Sequence, residues 1–339
     1  MISQRKKDHI SLALKSNDRL AVGGGFDRYE FEHNALPEID FESVDASVNF
    51  LNRKLKLPLM ISSITGGDED GNINAKLAEI AQSFGLGMAV GSQRIALEKP
   101  EFEGSFKVRR YAPNILLFAN LGAVQLNYGY SIDECKRAVE LIEADGLILH
   151  LNPLQEVFQS NGNTNFSGLL KKIENVCSSI SRPVIVKEVG YGISENVAKK
   201  LRNAGVFAVE IGGSGSVSWP DIESERSNEP IIKKAAKAFE DWGLSTAEQL
   251  EAIAKIKGDM EIIAGGGIKT GVDIAKAVVL GAKICGNATD FLRKIAVSQS
   301  ECEVFIKTLA FELKTTMFCV GCQNIDELRS TKLNRRSQK

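Results

Sequence analysis

The chain of 339 residues has no excess of basic residues and few prolines, and both features bear on its class. Its 42 Lys and Arg do not outnumber its 43 Asp and Glu, so the formal net charge is −1. This balance argues against a nucleic-acid-binding protein, which usually carries a clear basic excess. Only 8 prolines stand against 30 glycines. Such a composition suits a compact α/β protein with tight strand-to-helix turns better than a disordered chain.

Long apolar runs are also missing. None approaches the roughly 20 residues of a membrane-spanning helix, and the polar N-terminus lacks the apolar centre of a secretory signal. The 6 cysteines are dispersed, which is typical of reduced thiols in the cytoplasm. Cys319 and Cys322 have the spacing of a zinc or redox pair, but nothing nearby offers a second pair of ligands, so packing is the favoured interpretation. We predict a cytoplasmic protein that does not enter membranes.

Short apolar runs bounded by Gly, Pro or Asn predict buried parallel strands. Segments with helical periodicity lie between most of them, and Ser131, Ser194 and Ser245 stand at N-cap positions. Eight alternations favour a (β/α)8 TIM barrel over a doubly wound open sheet. The predicted strands are 57–62, 85–90, 115–121, 146–151, 183–189, 207–213, 261–266 and 282–288. The predicted helices are 74–83, 132–144, 194–204, 246–257 and 271–280.

The remaining segments divide the chain into three parts. Residues 1–56 form an N-terminal arm and extension, residues 57–330 form the barrel, and the basic stretch 331–339 is expected to be a disordered tail. The long interval after the sixth strand holds a Gly/Ser-rich, charged stretch, 214–245. Loops that follow barrel strands lie on the catalytic face. We therefore expect this stretch to be part of a site or of a lid over it.

Glycine-rich turns follow the seventh and eighth predicted strands. Gly265, Gly266 and Gly267 come after one strand, and Gly286 lies in the other. Turns at these two places can present backbone N–H groups to a phosphate, and they form the usual phosphate site of a barrel. Thr270 is a candidate cap for the following helix. The sequence thus favours a phosphate-bearing cofactor over glycines that serve only tight turns.

Charged and polar side chains end other strands on the same rim. Lys187 ends an apolar strand, where it fits a Schiff-base nucleophile, an anion partner or a cation beside an electron-rich ring. The structural alternative is a salt bridge with Glu188. His150 is followed by Asn152, Gln155 and Glu156, which favours ligand contact over a core histidine. Because Mg²⁺ binds through one or two carboxylates and substrate phosphates, Glu156 is the candidate metal ligand.

The order of the motifs resembles one known family over residues 5–328, nearly the whole chain. They are RKxDH at 5–9, HxALPE at 33–38, ITGG at 64–67, VGSQR at 90–94, NLG at 120–122, HLNPxQE at 150–156, KEVG at 187–190 and GGI at 266–268. Together they resemble type 2 isopentenyl-diphosphate isomerase, an FMN-dependent (β/α)8-barrel family of isoprenoid biosynthesis. Chance does not account for this ordered set.

The resemblance implies interconversion of isopentenyl and dimethylallyl diphosphate, with reduced FMN as acid and base, Mg²⁺ on the diphosphate and NADPH as the flavin reductant. It also implies a homotetramer or larger homo-oligomer. Gln155 would approach the isoprenoid carbons and Glu156 would hold Mg²⁺. The implied FMN site is Ser62, Ser63, Ile64, Thr65, Ser92, Asn120, Lys187, Val217, Gly266, Gly267, Ala288 and Thr289. The implied substrate site is Arg5, Lys6, Ser92, Gln93, Arg94, His150, Asn152 and Gln155.

Two positions depart from the family pattern or strain it. The family usually has Gly-Gly-Thr-x-Trp after the sixth strand, with the Thr hydroxyl on the cofactor, whereas this chain has Val217 in that place. A lost hydrogen bond to a charged group costs about 1.5–3 kcal/mol, so a weaker hold on flavin is expected unless Ser216 or Ser218 compensates. Asp290 follows the second phosphate turn, where its charge is unfavourable unless the side chain points away.

Two other functions stay open on sequence grounds. An FMN barrel oxidoreductase that oxidises a hydroxy acid or a purine nucleotide needs a base–cation pair or a loop cysteine at the rim. None of the cysteines lies in a Gly-rich rim loop, which counts against the nucleotide version. A non-catalytic phosphate-binding barrel is favoured only if Val217 abolishes flavin binding. Flavin absorption of the purified protein separates the binding-only function from the other two.

Overall fold

The structure of the protein is a computed structural model that describes residues 8, 9, 11, 12, 14, 23–63, 72–215 and 217–336. Its strands are β1 (Tyr29–Phe31), β2 (Val48–Phe50), β3 (Arg53–Leu55), β4 (Leu59–Ile61), β5 (Gly87–Ala89), β6 (Leu117–Gly122), β7 (Gly146–Leu151), β8 (Val184–Glu188), β9 (Ala208–Glu210), β10 (Glu261–Gly265), β11 (Ile284–Asn287) and β12 (Leu333–Arg335).

The α-helices are α1 (Asn72–Phe84), α2 (Arg94–Glu98), α3 (Ile132–Leu141), α4 (Pro153–Phe158), α5 (Leu169–Ser179), α6 (Glu195–Asn203), α7 (Trp219–Arg226), α8 (Pro230–Ala236), α9 (Thr246–Ala254), α10 (Gly271–Val279), α11 (Thr289–Val297), α12 (Gln299–Cys319) and α13 (Ile325–Arg329). Short 3-10 helices occupy Phe26–Arg28, Phe41–Ser43, Pro100–Ser105, Arg109–Tyr111, Ala123–Asn127 and Lys237–Phe239. Within the described residues, none of these helices has the length and apolar character needed to span a bilayer.

Strands β4 to β11 close into a parallel barrel in chain order, and β11 pairs with β4 to complete the ring. This closure confirms the (β/α)8 barrel and excludes the doubly wound sheet. Each of the eight apolar runs predicted from the sequence overlaps one of these strands, and β6 extends one residue beyond its predicted run. Parallel strands covered by helices bury both faces, which is why the runs are continuous rather than alternating. In β6, for example, all six residues are buried.

Hydrogen-bonding caps fix where several of the outer helices begin. Ser131 accepts a hydrogen bond from the Asp133 N–H, and Glu134 accepts one from the Ser131 N–H. Thr270 caps α10 in the same reciprocal way with Asp273. Such caps satisfy N–H groups that have no partner within the helix. The N-cap positions predicted from the sequence are confirmed, although Ser245 donates its hydroxyl to Glu248 instead of accepting a backbone N–H.

The extension before the barrel folds against it. Strands β2 and β3 form an antiparallel hairpin. Phe50 of this hairpin is 2 % exposed and packs against Phe118 and Phe207, with ring centroids 6.4 and 5.9 Å away. These two rings lie at the amino-terminal ends of β6 and β9. The hairpin therefore covers the end of the barrel opposite the predicted site.

The stretch after β9 is folded against the barrel and carries α7 and α8. A parallel bridge between Ser214 and Ser245 joins its two ends. Phe239 packs edge-on against Phe158 of α4, with ring centroids 5.5 Å apart, and against Trp242 at 5.6 Å. These contacts hold the stretch over the carboxyl-terminal ends of the strands, where loop residues can reach a ligand.

The expectation of a disordered C-terminal tail was wrong for residues 333–335. They form β12, which pairs antiparallel with β1. The basic residues that suggested a solvated tail have acidic partners, because Arg335 bonds to Glu251 and Arg336 bonds to Glu30 at 3.0 Å. Residues 337–339 lie outside the described residues.

Removing β12 tests this pairing. A chain that ends at residue 332 loses the strand and both arginine contacts, so its free energy of unfolding should fall by about 1–3 kcal/mol. Urea unfolding measures the change. A chain that ends at residue 336 keeps the strand and is the matched control. Equal stability of the two truncated chains would show that the pairing contributes nothing.

Candidate active site

A cavity opens at the carboxyl-terminal ends of the barrel strands, which is where barrel proteins hold their small-molecule ligands. Strand register places Gly122, His150, Lys187 and Glu210 opposite one another on successive strands. The cavity is lined by Ser62, Ser63, Lys187, Val189, Glu210, Gly212, Gly215, Val217, Trp219, Gly266, Gly267, Ile268, Lys269, Gly286, Asn287, Ala288, Thr289 and Asp290.

One side of the cavity is a backbone turn at Gly266 and Gly267, called the glycine cradle below. Only glycine permits its conformation and its close contacts. Gly266 has φ 92°, and a Cβ added there would lie 2.1 Å from the Gly213 carbonyl oxygen. Gly267 has φ 72°, and its Cβ would lie 2.4 Å from Cα of Gly24. Three chain segments therefore meet at contact distance. Thr246 secures the turn by donating its hydroxyl to the Gly265 and Gly266 carbonyls, at 3.0 and 2.7 Å.

The cradle has the features of an anion site. Ala288 and Thr289 line the cavity where α11 begins, and the N-terminus of a helix presents free N–H groups and the positive end of its dipole. Lys269 lines the same wall. The backbone turns, the helix end and a nearby cation together fit the phosphate group of a nucleotide.

A buried ion pair forms another wall. Lys187 is 8 % exposed, and its Nζ donates to Oε1 of Glu210 at 2.5 Å. The Ser62 hydroxyl donates to the same oxygen. The structural alternative for Lys187 was a salt bridge with Glu188. Lys187 does form a salt bridge, but its partner is Glu210. Sequence reasoning missed Glu210, although a single carboxylate within the apolar run FAVEIGG is a signal that could have shown it.

Glu188 shapes the turn after β8. Its Oε2 accepts hydrogen bonds from the N–H groups of Gly190, Tyr191 and Gly192, at 2.7, 2.5 and 2.9 Å. Burial raises the pKa of this carboxyl to about 7, against the lowering effect of the three N–H groups and of Lys187. Both acceptor geometry and burial thus assign Glu188 to the fold rather than to a ligand.

A series of hydrogen-bonded polar side chains joins the segment after β4 to β6 and β7. The Asn120 amide nitrogen donates to the Ser63 hydroxyl at 2.9 Å, and its oxygen lies 2.8 Å from Nδ1 of His150. Ser63 lines the cavity. This series of hydrogen bonds therefore links the cavity to the end of β7, where the predicted substrate residues begin. His150 is placed beside the site and not within the apolar core.

The predicted substrate and metal residues form a second connected group. Asn152 donates its amide to Gln155 and to Glu156, at 3.1 and 3.0 Å. The other Glu156 oxygen accepts the Asn163 N–H at 2.6 Å, and the Asn163 side chain accepts from Arg94 at 3.1 Å. Sequence reasoning missed Asn163. The structure thus joins Asn152, Gln155 and Glu156 directly, and it joins Arg94 to them through Asn163.

No three Asp, Glu, His or Cys side chains come together as a metal site in the described part of the chain. A metal at Glu156 would therefore need oxygen ligands of another kind. The Asn152 oxygen Oδ1 is buried and accepts no hydrogen bond from the described residues. It belongs to the amide that donates to Glu156, so an unused oxygen lies next to the carboxylate. Two neutral or anionic oxygens of this type suit Mg²⁺.

The other predicted residues are placed less directly. Gln93 is fully buried, and its amide bonds to the Ala138 carbonyl and the Asn120 N–H, each at 2.9 Å. Its side chain is therefore committed to joining β6 and α3 rather than to a ligand. Ser92 is half-buried on the turn after β5. Four predicted residues, Arg5, Lys6, Ile64 and Thr65, lie outside the described residues.

A contact between distant segments lies at the edge of the cavity. Nε2 of His9 is 2.8 Å from Oε1 of Glu223 on α7, and the His9 ring packs edge-on against Trp219, with centroids 5.2 Å apart. Arg226 bonds to the other Glu223 oxygen at 2.6 Å and to Asp8 at 3.2 Å. Since 214 residues separate His9 and Glu223, sequence reasoning missed the pairing. It fixes part of the N-terminal arm beside Trp219, which lines the cavity.

Comparison with known proteins decides the family. Isopentenyl-diphosphate delta-isomerase of Nostoc sp. is 46 % identical over 327 residues, which cover 96 % of this chain and 93 % of that protein. The protein of the same name from Rickettsia felis is 43 % identical over 97 % of this chain and 96 % of its own length. The chain belongs to the isopentenyl-diphosphate delta-isomerase family. This finding confirms the resemblance predicted from the motifs.

The wider relations of this isomerase family agree with the barrel. Residues 150–335 match the family model of FMN-dependent dehydrogenases, which is more than half of the chain. A mandelate oxidase structure superposes with a TM-score of 0.66 at 17 % identity, covering 94 % of this chain and 92 % of its own. A flavocytochrome b2 structure gives 0.69 at 20 % identity, covering 96 % and 82 %. At such low identity the two structures support the fold alone.

The two departures from the family pattern have local structural consequences. Val217 is 6 % exposed and lines the cavity, so this part of the wall is apolar. Ser218 is nearly buried as well, and Ser216 lies outside the described residues. The Asp290 carboxylate accepts from the Asn287 amide at 2.8 Å and lies 3.8 Å from Arg293. Its charge at the cavity edge is therefore partly offset by these two neighbours.

The Glu223 contacts generate a pH-dependent prediction. Burial raises the pKa of Glu223, but the hydrogen bond and charge of His9 and the charge of Arg226 outweigh it and hold the pKa below its usual value of 4.5. Because the folded-state pKa is lowered, the stabilisation is complete above about pH 4.5 and is lost as the pH falls through the folded-state pKa. Glu223→Gln should therefore destabilise the protein by about 1–3 kcal/mol at pH 7 and by less below pH 4.5.

Urea unfolding at several pH values measures this difference. Glu225→Gln, an exposed carboxylate on the same helix, is the matched control and should show no such pH-dependent loss. A deficit in Glu223→Gln that stays constant down to pH 3 would contradict the assigned role of the charge.

Proposed function

We propose that this protein is an FMN-dependent isopentenyl-diphosphate isomerase that interconverts isopentenyl and dimethylallyl diphosphate. The proposal rests on the observation that three groups of residues lie at the same rim of the barrel. The glycine cradle, the Lys187–Glu210 pair and the group around Asn152 all lie at the carboxyl-terminal ends of the same barrel strands. A nucleotide cofactor and a small diphosphate can therefore meet over one cavity in a chain of this family.

The cradle fits the phosphate of FMN, for which Gly266, Gly267 and the start of α11 supply backbone N–H groups. In the proposal, Lys187 stands beside the flavin ring, where a cation stabilises negative charge on the reduced form. Reduced FMN, when bound, supplies a ring nitrogen able to give a proton to the alkene and take one back.

Side chains of this protein position the substrate in the proposal. His150, Asn152 and Arg94, with Arg5 and Lys6 of the arm, bind the diphosphate, for which arginine and lysine are the usual partners. Gln155 stands toward the isoprenoid carbons. Glu156 holds Mg²⁺, with the unused Asn152 oxygen beside it. These contacts would raise the reaction rate, because they hold a small substrate in one reactive orientation.

The apolar wall contributes by excluding water. Val217 and the Trp219 ring line the cavity, and the His9 contact fixes Trp219 from outside. Charges inside a dry cavity interact more strongly than they do in water. We further propose that NADPH reduces the flavin and that the enzyme works in the cytoplasm as a homotetramer or larger homo-oligomer, as the family resemblance implies.

A reconstitution assay tests the function. The purified protein, supplied with FMN, Mg²⁺ and NADPH, should convert isopentenyl diphosphate to dimethylallyl diphosphate, and omitting FMN should abolish the conversion. Product is followed by mass spectrometry after acid hydrolysis or by isotope exchange. Full activity without flavin would contradict the proposal, and oxidation of a hydroxy acid in place of isomerisation would favour the oxidoreductase function.

A glycine substitution tests the cradle. Gly266→Ala places a Cβ 2.1 Å from the Gly213 carbonyl at a positive φ, so the turn must move and FMN affinity should fall at least tenfold, which is about 1.4 kcal/mol. Fluorescence titration with FMN measures the affinity. Gly104→Ala is the matched control, because an added Cβ there has no neighbour within 4 Å. Equal affinity of the two variants would place the phosphate elsewhere.

A further inference from the structure

Glu210 has no part in the proposed reaction, yet it is the most deeply buried carboxylate of the cavity wall, with 0 % exposure. Its Oε1 accepts from both Lys187 and Ser62. Its Oε2 is buried and accepts no hydrogen bond from the described residues. A carboxylate in such a position is costly unless its charge serves a partner.

We propose that Glu210 is a positioning residue for Lys187: it holds the amine against the cavity wall and supplies the counter-charge for the buried ammonium. The inference rests on the proposed function, because the cation matters there through the flavin ring. Glu210 would then determine whether the site stabilises negative charge on reduced FMN.

The neighbouring strands are built to admit this carboxylate. A Cβ added at Gly265 of β10 would lie 3.0 Å from Oε1 of Glu210, and one added at Gly286 of β11 would lie 2.9 Å from it. The Cβ added at Gly286 would also lie 3.3 Å from the Ser62 Cβ. Two glycines thus leave the space that Glu210 fills. The same glycines were interpreted from the sequence as phosphate turns, so they serve a second purpose at this level of the barrel.

Burial gives Glu210 its effect on Lys187. A buried lysine without a counter-charge loses its proton near neutral pH, since the charged form is poorly solvated. The side chain of Lys187 is only 10 % exposed. Without Glu210, the Lys187 ammonium would have no carboxylate within ion-pair distance among the described residues to offset its burial.

The other ionisable groups nearby are engaged elsewhere. Glu188 is adjacent in the chain, but its Oε2 is bonded to three backbone N–H groups. His150 lies opposite Lys187 in register and is bonded to Asn120. Lys269 and Asp290 line the β10 and β11 side of the cavity. Glu210 is the partner within ion-pair distance of Lys187 in the described residues.

The first test needs no flavin. Trace labelling of the full-length protein as purified with acetic anhydride, followed by mass spectrometry, reports how much of each lysine is uncharged. At pH 8, Lys187 should react at least tenfold faster in Glu210→Gln than in the wild-type protein, relative to surface lysines. Glu210→Asp keeps the charge and should restore slow labelling. Glu261→Gln removes a half-buried carboxylate at the opposite end of β10 and should have no effect.

The second test measures the midpoint potential of the bound flavin. In the FMN-loaded protein, the affinity ratio for reduced over oxidised FMN should be at least tenfold lower in Glu210→Gln than in the wild-type protein at pH 9. For a two-electron couple this is about 30 mV in the midpoint potential. The difference should shrink toward pH 6, where the amine regains its proton. Spectroelectrochemical titration over this pH range measures both effects.

Several results would overturn the proposal. Unchanged Lys187 labelling in Glu210→Gln would do so, as would a midpoint potential raised at every pH, because Glu210 would then oppose the cation instead of maintaining it. If Glu210→Gln does not fold, the wild-type protein still decides: Lys187 that labels as a neutral amine at pH 8 contradicts the inference. Labelling that responds as expected in a protein that binds no FMN would instead support the pairing and refute the proposed function.

Discussion

A lysine and a glutamate share one hydrogen bond at the point where two barrel strands end, and the candidate site is arranged around it. Lys187 on β8 and Glu210 on β9 stand opposite each other in register, in a barrel whose strand residues are mostly apolar. A buried ion pair seldom stabilises a fold more than apolar residues of the same volume would. Its presence at the carboxyl-terminal rim, where barrel enzymes place their chemistry, is therefore more informative about function than about stability.

The space around this pair is set by residues that have no side chain. Gly265 and Gly286 leave room for the Glu210 carboxylate, whereas Gly266 and Gly267 let backbone segments approach to form the cradle. Consecutive glycines on one turn thus make room for different neighbours, a side chain at Gly265 and backbone at Gly266 and Gly267. Polar contacts then spread outward, from Ser63 through Asn120 to His150 and separately among the residues around Glu156. The cation, the cradle and the polar chain share one rim because parallel strands all end on the same side.

Much of this arrangement could be predicted from the sequence. Continuous apolar runs identified all eight strands because both faces of a covered parallel sheet are buried, and polar residues at the ends of those runs located the rim. The position of Gly266 or Lys187 at that rim followed from topology. The pairing of His9 with Glu223 could not be predicted, since no periodic pattern connects residues so far apart. Arg335 and Arg336 were misjudged because basic residues near a chain end look solvated until their acidic partners on other segments are known.

Individual side-chain partners were harder to predict than positions. Glu210 lies within a run whose apolar character dominated the interpretation. The structural alternative for Lys187 was a salt bridge with its chain neighbour, whereas its partner is on the next strand. Gln93 belongs to a motif on the rim, but its side chain is buried between β6 and α3, whose backbone groups occupy its amide. Pattern alone indicates which segment reaches the rim. Which way each side chain turns depends on packing between segments, which sequence periodicity does not encode.

A crystal structure of the protein soaked with FMN tests the central claim most directly. The account predicts density for the phosphate against the backbone of Gly266 and Gly267 and at the start of α11, with the flavin ring beside Lys187. A phosphate bound away from that cradle, or a ring that leaves Lys187 and Glu210 on its far side, would contradict it.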